Sequence, residues 1–73
     1  MPRFSRHAEK QMAKRRITHA DVELALAHKV GQPGPGQSGS IWIRGYAAGG
    51  RILKVCVQAT DQDYVITAAW PDE

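Results

Sequence analysis

The amino-acid sequence predicts an α+β fold, with two N-terminal helices packed on one face of a three-stranded antiparallel meander sheet of the RelE/barnase-like kind. Two helix-forming segments with capping residues come first, and a Gly- and Pro-rich loop follows them. The rest of the chain alternates apolar and polar residues in three runs that are separated by short turns. At 73 residues, the chain has room for one domain, which we assign to residues 1–73.

The first helix is predicted over residues 5–16, where Ser5 is a good N-cap and most of the following residues favour a helix. Its apolar stripe is thin and consists of Ala8 and Met12. A helix with so little apolar surface covers the edge of a core and does not form its centre.

The second helix is predicted over residues 18–29, because Thr18 and Asp21 stand at the spacing of a capping box. Its buried stripe is expected to include Val22 and Leu26, and Gly31 is a suitable residue to follow its last turn. Residues 31–40 are rich in Gly, Pro and Ser, so they predict an irregular loop.

The three strands are predicted over residues 41–47, 51–60 and 64–70. Period-two alternation places Leu53, Val55 and Val57 on the face below the helices. The third strand alternates ambiguously. If the aromatic sides of the strands align, Thr67 faces the core and the outer face carries a mixture of aromatic and basic side chains, namely Trp42, Arg44, Tyr46 and Lys54. Single-stranded nucleic acid needs such a mixture, although an ordinary half-exposed sheet also accommodates it.

Charge and composition restrict the function classes. Ten Lys and Arg residues exceed seven Asp and Glu residues, and six of the ten lie in the first sixteen positions. This cluster suits a phosphate backbone, and a solvated helix face is an equally good interpretation. A lone cysteine, Cys56, and the lack of a long apolar run or leader segment predict a cytoplasmic protein without a membrane partner.

No metal-ligand spacing and no phosphate-binding Gly-rich motif is found in the sequence, so no metal or cofactor is expected. The remaining candidate is His7, with Gln11 and Arg15 on the same face of the first helix. RNA cleavage without metal needs a base for the 2′-hydroxyl, an acid for the leaving oxygen and positive charge for the phosphate. A histidine near a helix start is more often a surface or capping residue, so spacing alone leaves both interpretations open.

Three segments resemble a bacterial family of domains of unknown function, number 4258: residues 4–18 (FSRHAEKQMAKRRIT), 53–57 (LKVCV) and 65–70 (VITAAW). That family is grouped with the barnase–EndoU–colicin–RelE class of RNase toxin folds. The resemblance implies that His7, Arg15 and Thr67 are the catalytic positions and that Lys54 assists them. The chain departs from the family pattern at Gln11, where the family usually has Arg, and at Arg16, where it usually has Gly.

These observations together predict a metal-independent endoribonuclease that acts as the toxin of a toxin–antitoxin pair. His7 would transfer the proton, while Arg15 and Lys54 would stabilise the phosphate. The RNA-binding residues are expected to be Lys54, Arg44, Trp42, Tyr46 and Gln11, and the partners RNA and an antitoxin protein. Two alternatives remain, a non-catalytic RNA-binding module and a protein-interaction domain whose sheet edge pairs with a partner strand.

Overall fold

A computed structural model describes residues 2–71. It contains two helices, five strands and a short 3-10 turn at Ala48–Gly50, and this content confirms the α+β class. The elements in chain order are β1 (Arg3–Phe4), α1 (Arg6–Arg15), α2 (His19–Ala27), β2 (Gly34–Pro35), β3 (Ser40–Tyr46), β4 (Ile52–Gln58) and β5 (Asp61–Ala69).

The sheet is five-stranded and mixed, in the order β1-β5-β4-β3-β2. The predicted three-stranded antiparallel meander is therefore wrong: β3, β4 and β5 form it, but β1 adds in parallel to β5 and β2 adds antiparallel to β3. Each additional strand has only two residues, which is too short for an alternating pattern to be recognised in the sequence. The predicted irregular loop over residues 31–40 also contains β2, in which Pro35 is tolerated because it lies at a sheet edge.

Both helix starts are confirmed. The Ser5 hydroxyl accepts a hydrogen bond from the backbone N–H of Ala8 at 2.9 Å, and Thr18 and Asp21 form the predicted capping box. The second helix ends at Ala27, two residues before the predicted end. Residues 28–30 leave the helix because they bond to the edge of β3, where the Val30 N–H donates to the Arg44 carbonyl at 2.8 Å.

Both helices pack on one face of the sheet, which we call the inner face. The predicted core residues there are buried, with the exception of Leu26, which is only partly buried at the margin. The confirmed ones are Met12, Val22, Leu53, Val55 and Val57. α2 lies so close to β3 that a side chain at Gly45 would overlap the Ala25 carbonyl, so only glycine fits at this position.

A β-bulge in β5 resolves the ambiguous third strand. Val65 pairs with Val57, whereas Thr67 pairs with Cys56, so Ile66 is the extra residue between them. The bulge reverses the alternation, so that Thr67 lies on the outer face, and the expectation that it faces the core is wrong. The alignment of aromatic sides is also wrong, because Trp70 belongs to the buried core and is only 6% exposed.

The sheet edges are largely covered within the described part of the chain. Residues 28–30 and β2 bond to the edge of β3 that lies opposite β4. At the other edge, β1 pairs with part of β5, and α1 supplies the Ser5 hydroxyl to the Ile66 carbonyl at 3.0 Å and the Arg15 guanidinium to the Ala68 carbonyl at 2.8 Å. Covered edges resist strand addition, which disfavours the alternative of a partner strand at the sheet edge.

Candidate nucleic-acid interface

Three side chains form a row across the outer face of the sheet. Trp42 pairs with Cys56, and Cys56 pairs with Thr67, so the three lie on adjacent strands at the same level. Two residues further along these strands, Arg44 pairs with Lys54. Trp42, Arg44 and Lys54 therefore lie on the outer face, as alternation along β3 and β4 predicts, although the aromatic sides of the three strands do not align. The bulge adds the Thr67 side chain to this face.

A cavity of about 310 Å³ lies over this row, and we call it the histidine cavity. Its lining residues come from α1, from the segment before β3 and from all three long strands: His7, Gln37, Ser40, Trp42, Cys56, Ile66 and Thr67. His7 lies there because Ser5, two residues earlier, is bonded to β5 at the bulge. The Ser5 N–H donates to the Val65 carbonyl at 2.9 Å, and the Ser5 hydroxyl donates to the Ile66 carbonyl. The bulge therefore positions both Thr67 and His7.

The Thr67 hydroxyl is unusual among the buried polar atoms. Its oxygen is inaccessible to solvent and has no hydrogen-bond partner in the part of the chain that the structure describes. An unsatisfied buried hydroxyl destabilises a fold by roughly 1–3 kcal/mol. The hydroxyl of Thr67 therefore has unused hydrogen-bonding capacity beside the cavity that Thr67 lines.

Trp42 separates the histidine cavity from a smaller cavity of about 200 Å³, and it lines both. The smaller cavity is also lined by Arg44 and Lys54. The Lys54 ammonium nitrogen lies 4.5 Å from the centre of the Trp42 ring, which is a cation–π contact. An aromatic surface and two cations thus lie next to the cavity that contains His7.

The remaining predicted site residues lie elsewhere. Arg15 does not line the histidine cavity, because its guanidinium is bonded to the Ala68 carbonyl and its own carbonyl accepts the Trp70 indole N–H at 2.9 Å. Along a helix, eight residues from His7 to Arg15 span about 12 Å. Gln11 is half-buried on α1 and Tyr46 is 47% exposed at the end of β3, and neither lines this cavity.

Sequence reasoning missed four lining residues: Gln37, Ser40, Cys56 and Ile66. Alternation along β4 could have identified Cys56, since it places this thiol on the same face as Lys54. Gln37 and Ser40 lie around the turn that enters β3, where no periodic pattern exists, and the position of Ile66 depends on the bulge.

Two further observations concern metals and membranes. Within residues 2–71, no three His, Cys, Asp or Glu side chains cluster in a way that could hold a metal ion. Neither α1 nor α2 has the length and apolarity that a membrane crossing requires.

A family model described as a domain of unknown function, DUF4258, matches residues 4–70. The chain belongs to this family. The matched range includes every residue that lines the histidine cavity. No curated protein and no solved structure matches the chain.

Proposed function

We propose that this DUF4258 domain is a metal-independent endoribonuclease of the RNase toxin class that its sequence resembles. The observation that carries the proposal is the histidine cavity, in which an imidazole, an unsatisfied hydroxyl and an aromatic ring line one space. These residues are distant in sequence. The bulge in β5 positions Thr67 and His7, and the pairing of β3 with β4 places Trp42 beside them. Such a combination suits acid–base chemistry on a nucleic acid better than it suits a purely structural face.

In the proposed reaction, the imidazole of His7 takes the proton from a ribose 2′-hydroxyl. The 2′-oxygen then forms a bond to the adjacent phosphorus, and the bond from phosphorus to the 5′-oxygen breaks. The 5′-oxygen takes up a proton from solvent, so the products are a 2′,3′-cyclic phosphate and a 5′-hydroxyl. The Thr67 hydroxyl donates to a phosphate oxygen, where negative charge accumulates in the transition state.

RNA binding in this proposal uses the surroundings of Trp42. One base stacks on the part of the Trp42 ring that lines the histidine cavity, while Lys54 occupies a face of the ring 4.5 Å from its centre. Lys54 and Arg44, which line the neighbouring cavity, bind phosphates. In this arrangement Lys54 keeps the phosphate-binding role predicted from the sequence, and Arg44 takes the role that was predicted for Arg15.

The decisive test is cleavage of a single-stranded RNA by the purified protein in EDTA. His7→Ala is expected to lower the rate by about 10²–10⁴ while leaving RNA affinity and melting temperature nearly unchanged, because the exposed imidazole acts only in proton transfer. His28→Ala is the matched control, since His28 is also exposed and lies outside the cavity. Equal rates for His7→Ala and the wild type would refute the mechanism, and salt-dependent binding without cleavage would identify a non-catalytic RNA-binding module.

The proposal extends to the biological role of a toxin that acts on cytoplasmic RNA and is neutralised by an antitoxin protein. The family resemblance motivates this part. Induction of the wild-type chain in bacteria should arrest growth, and induction of His7→Ala at the same protein level should not. Arrest by both proteins would separate any toxicity from RNA cleavage.

A further inference from the structure

Two of the residues that line the histidine cavity, Gln37 and Ser40, belong to the turn that leads into β3. Neither has a part in the proposed reaction. The Gln37 carbonyl accepts two hydrogen bonds, one from the Ser40 N–H and one from the Ser40 hydroxyl, each at 2.8 Å. These bonds use only the main chain of Gln37 and hold it at the side of the cavity.

Further contacts fasten this turn to itself and to the end of β4. The Gly36 N–H donates to the Ser40 carbonyl at 3.3 Å, and the N–H of Ala59, the first residue after β4, donates to the Gly39 carbonyl at 2.9 Å. A Cβ atom at Gly36 would lie 3.1 Å from the carbonyl carbon and oxygen of Ser40, so the turn leaves little room for a side chain there. A turn that is already held in this way loses less conformational entropy when a ligand binds.

The side chain of Gln37 is exposed, and its carboxamide has no hydrogen-bond partner within residues 2–71. A carboxamide carries an accepting oxygen and a donating NH2 group in one plane. Trp42 lines the same cavity and offers the ring on which a base stacks in the proposed function. Since a stacked base presents its hydrogen-bonding edge beside the ring and not over it, a nearby donor and acceptor pair can distinguish one base from another.

We propose that Gln37 determines base specificity, by hydrogen-bonding through its carboxamide to the edge of an adenine that stacks on Trp42. Adenine presents an amino donor at N6 next to an acceptor at N7, and these match the carbonyl and the NH2 group of Gln in a bidentate pair. Guanine presents two acceptors, O6 and N7, on the same edge, so a carboxamide cannot satisfy both. The inference rests on the proposed binding of RNA at Trp42, and it does not require catalysis by His7.

The test measures the affinity for labelled single-stranded DNA hexamers by fluorescence anisotropy at one salt concentration. DNA lacks the 2′-hydroxyl nucleophile, so binding is measured without cleavage. One hexamer carries adenine, and a second carries purine, which lacks only the N6 amino group. The wild type is expected to bind the adenine hexamer roughly tenfold more tightly, because loss of the amino group removes one half of the bidentate pair and leaves the Gln37 carbonyl without a donor.

Two variants assign this preference to one residue. Gln37→Ala should bind the adenine and purine hexamers with equal affinity and keep the wild-type melting temperature, because only the main chain of Gln37 bonds within the turn. Gln32→Ala is the matched control and should keep the preference, since Gln32 is an exposed glutamine of the same Gly- and Pro-rich segment and lies outside the cavity. A wild type that binds neither hexamer or both equally, or a Gln37→Ala protein that still prefers adenine, would overturn the inference.

RNA cleavage in EDTA separates this inference from the proposed function. A wild type that cleaves RNA but binds the two hexamers equally would refute the role of Gln37 and leave the endoribonuclease proposal standing. A wild type that prefers adenine through Gln37 but leaves RNA intact would support the role of Gln37 and refute the endoribonuclease proposal.

Discussion

The histidine cavity and a larger cavity occupy two ends of one sheet face, yet they offer different chemistry. The larger one, of about 460 Å³, we call the arginine cavity, and the described residues that line it are Val30, Arg44, Arg51, Ile52 and Pro71. The first is lined by an imidazole, hydroxyl groups and the Trp42 ring, whereas the second is lined by aliphatic side chains and two guanidinium groups. Arg44 lines the arginine cavity and also the small cavity beside Trp42. β3 therefore contributes side chains to cavities at both ends of the outer face.

The two tryptophans illustrate the same difference. A cation lies over each ring, Lys54 over Trp42 and Arg51 over Trp70. Trp42 is half-buried and lines two cavities, whereas Trp70 is 6% exposed and bonds to the Arg15 carbonyl. Trp42 can thus contact a ligand, while Trp70 fastens the end of α1 to the core.

The largest difference between the cavities is expected from Thr67→Val, which removes the unsatisfied hydroxyl but keeps the shape of the side chain. If this hydroxyl bonds to the substrate phosphate, RNA cleavage should fall by roughly 10²-fold, as on loss of other transition-state donors. The free energy of unfolding should stay the same or rise by about 1 kcal/mol, because an unpaired buried group is removed. Cleavage rates and thermal melts measure both.

The control for this variant is Thr60→Val, since Thr60 is exposed and lies in the turn before β5. It should change neither cleavage nor stability. A Thr67→Val protein with full activity would show that the hydroxyl has no part in the reaction.

Local sequence signals predicted the starts of both helices and the faces of β3 and β4. Ser5 and the Thr18–Asp21 pair bond within their own turns, and the alternation along each of these strands is regular. The position of Thr67 could not be predicted in this way. It depends on one extra residue, Ile66, and nothing in the alternating pattern of β5 identifies which residue is the extra one.

A smaller effect on RNA affinity is expected from removing an aromatic side chain at one end of the outer face, and none from removing an aliphatic one at the other end. Trp42→Ala should weaken binding of single-stranded RNA by roughly tenfold, because it removes one stacking surface. Ile52→Ser should leave RNA affinity unchanged, because Ile52 lines neither the histidine cavity nor the small cavity beside Trp42. Anisotropy titrations of a single-stranded RNA with both variants measure the two affinities, and an equal loss in Ile52→Ser would extend the RNA site to the arginine cavity.

Arg15 shows why a position on the same helix face as His7 was not enough to predict a residue of the histidine cavity. Its spacing from His7 places both on one side of α1, but α1 runs beside β5, and among the residues of α1 only His7 lines the histidine cavity. The guanidinium finds the Ala68 carbonyl instead. Arg16, the next residue, adopts the αL conformation with φ 57°, which favours Gly, the residue that the family resemblance leads one to expect at this position.

The smallest effect is expected in the salt dependence of RNA affinity, when variants of Arg44 and Arg15 are compared. Arg44→Gln should flatten the slope of log affinity for RNA against log salt concentration by about one, since it removes one phosphate contact. Arg15→Gln should leave that slope unchanged and lower the free energy of unfolding by about 1 kcal/mol, because the Ala68 carbonyl loses its charged donor. Titrations at several salt concentrations and denaturant melts separate the two effects. A flattened slope in Arg15→Gln with unchanged stability would return Arg15 to the RNA site and would mean that bound RNA extends along α1.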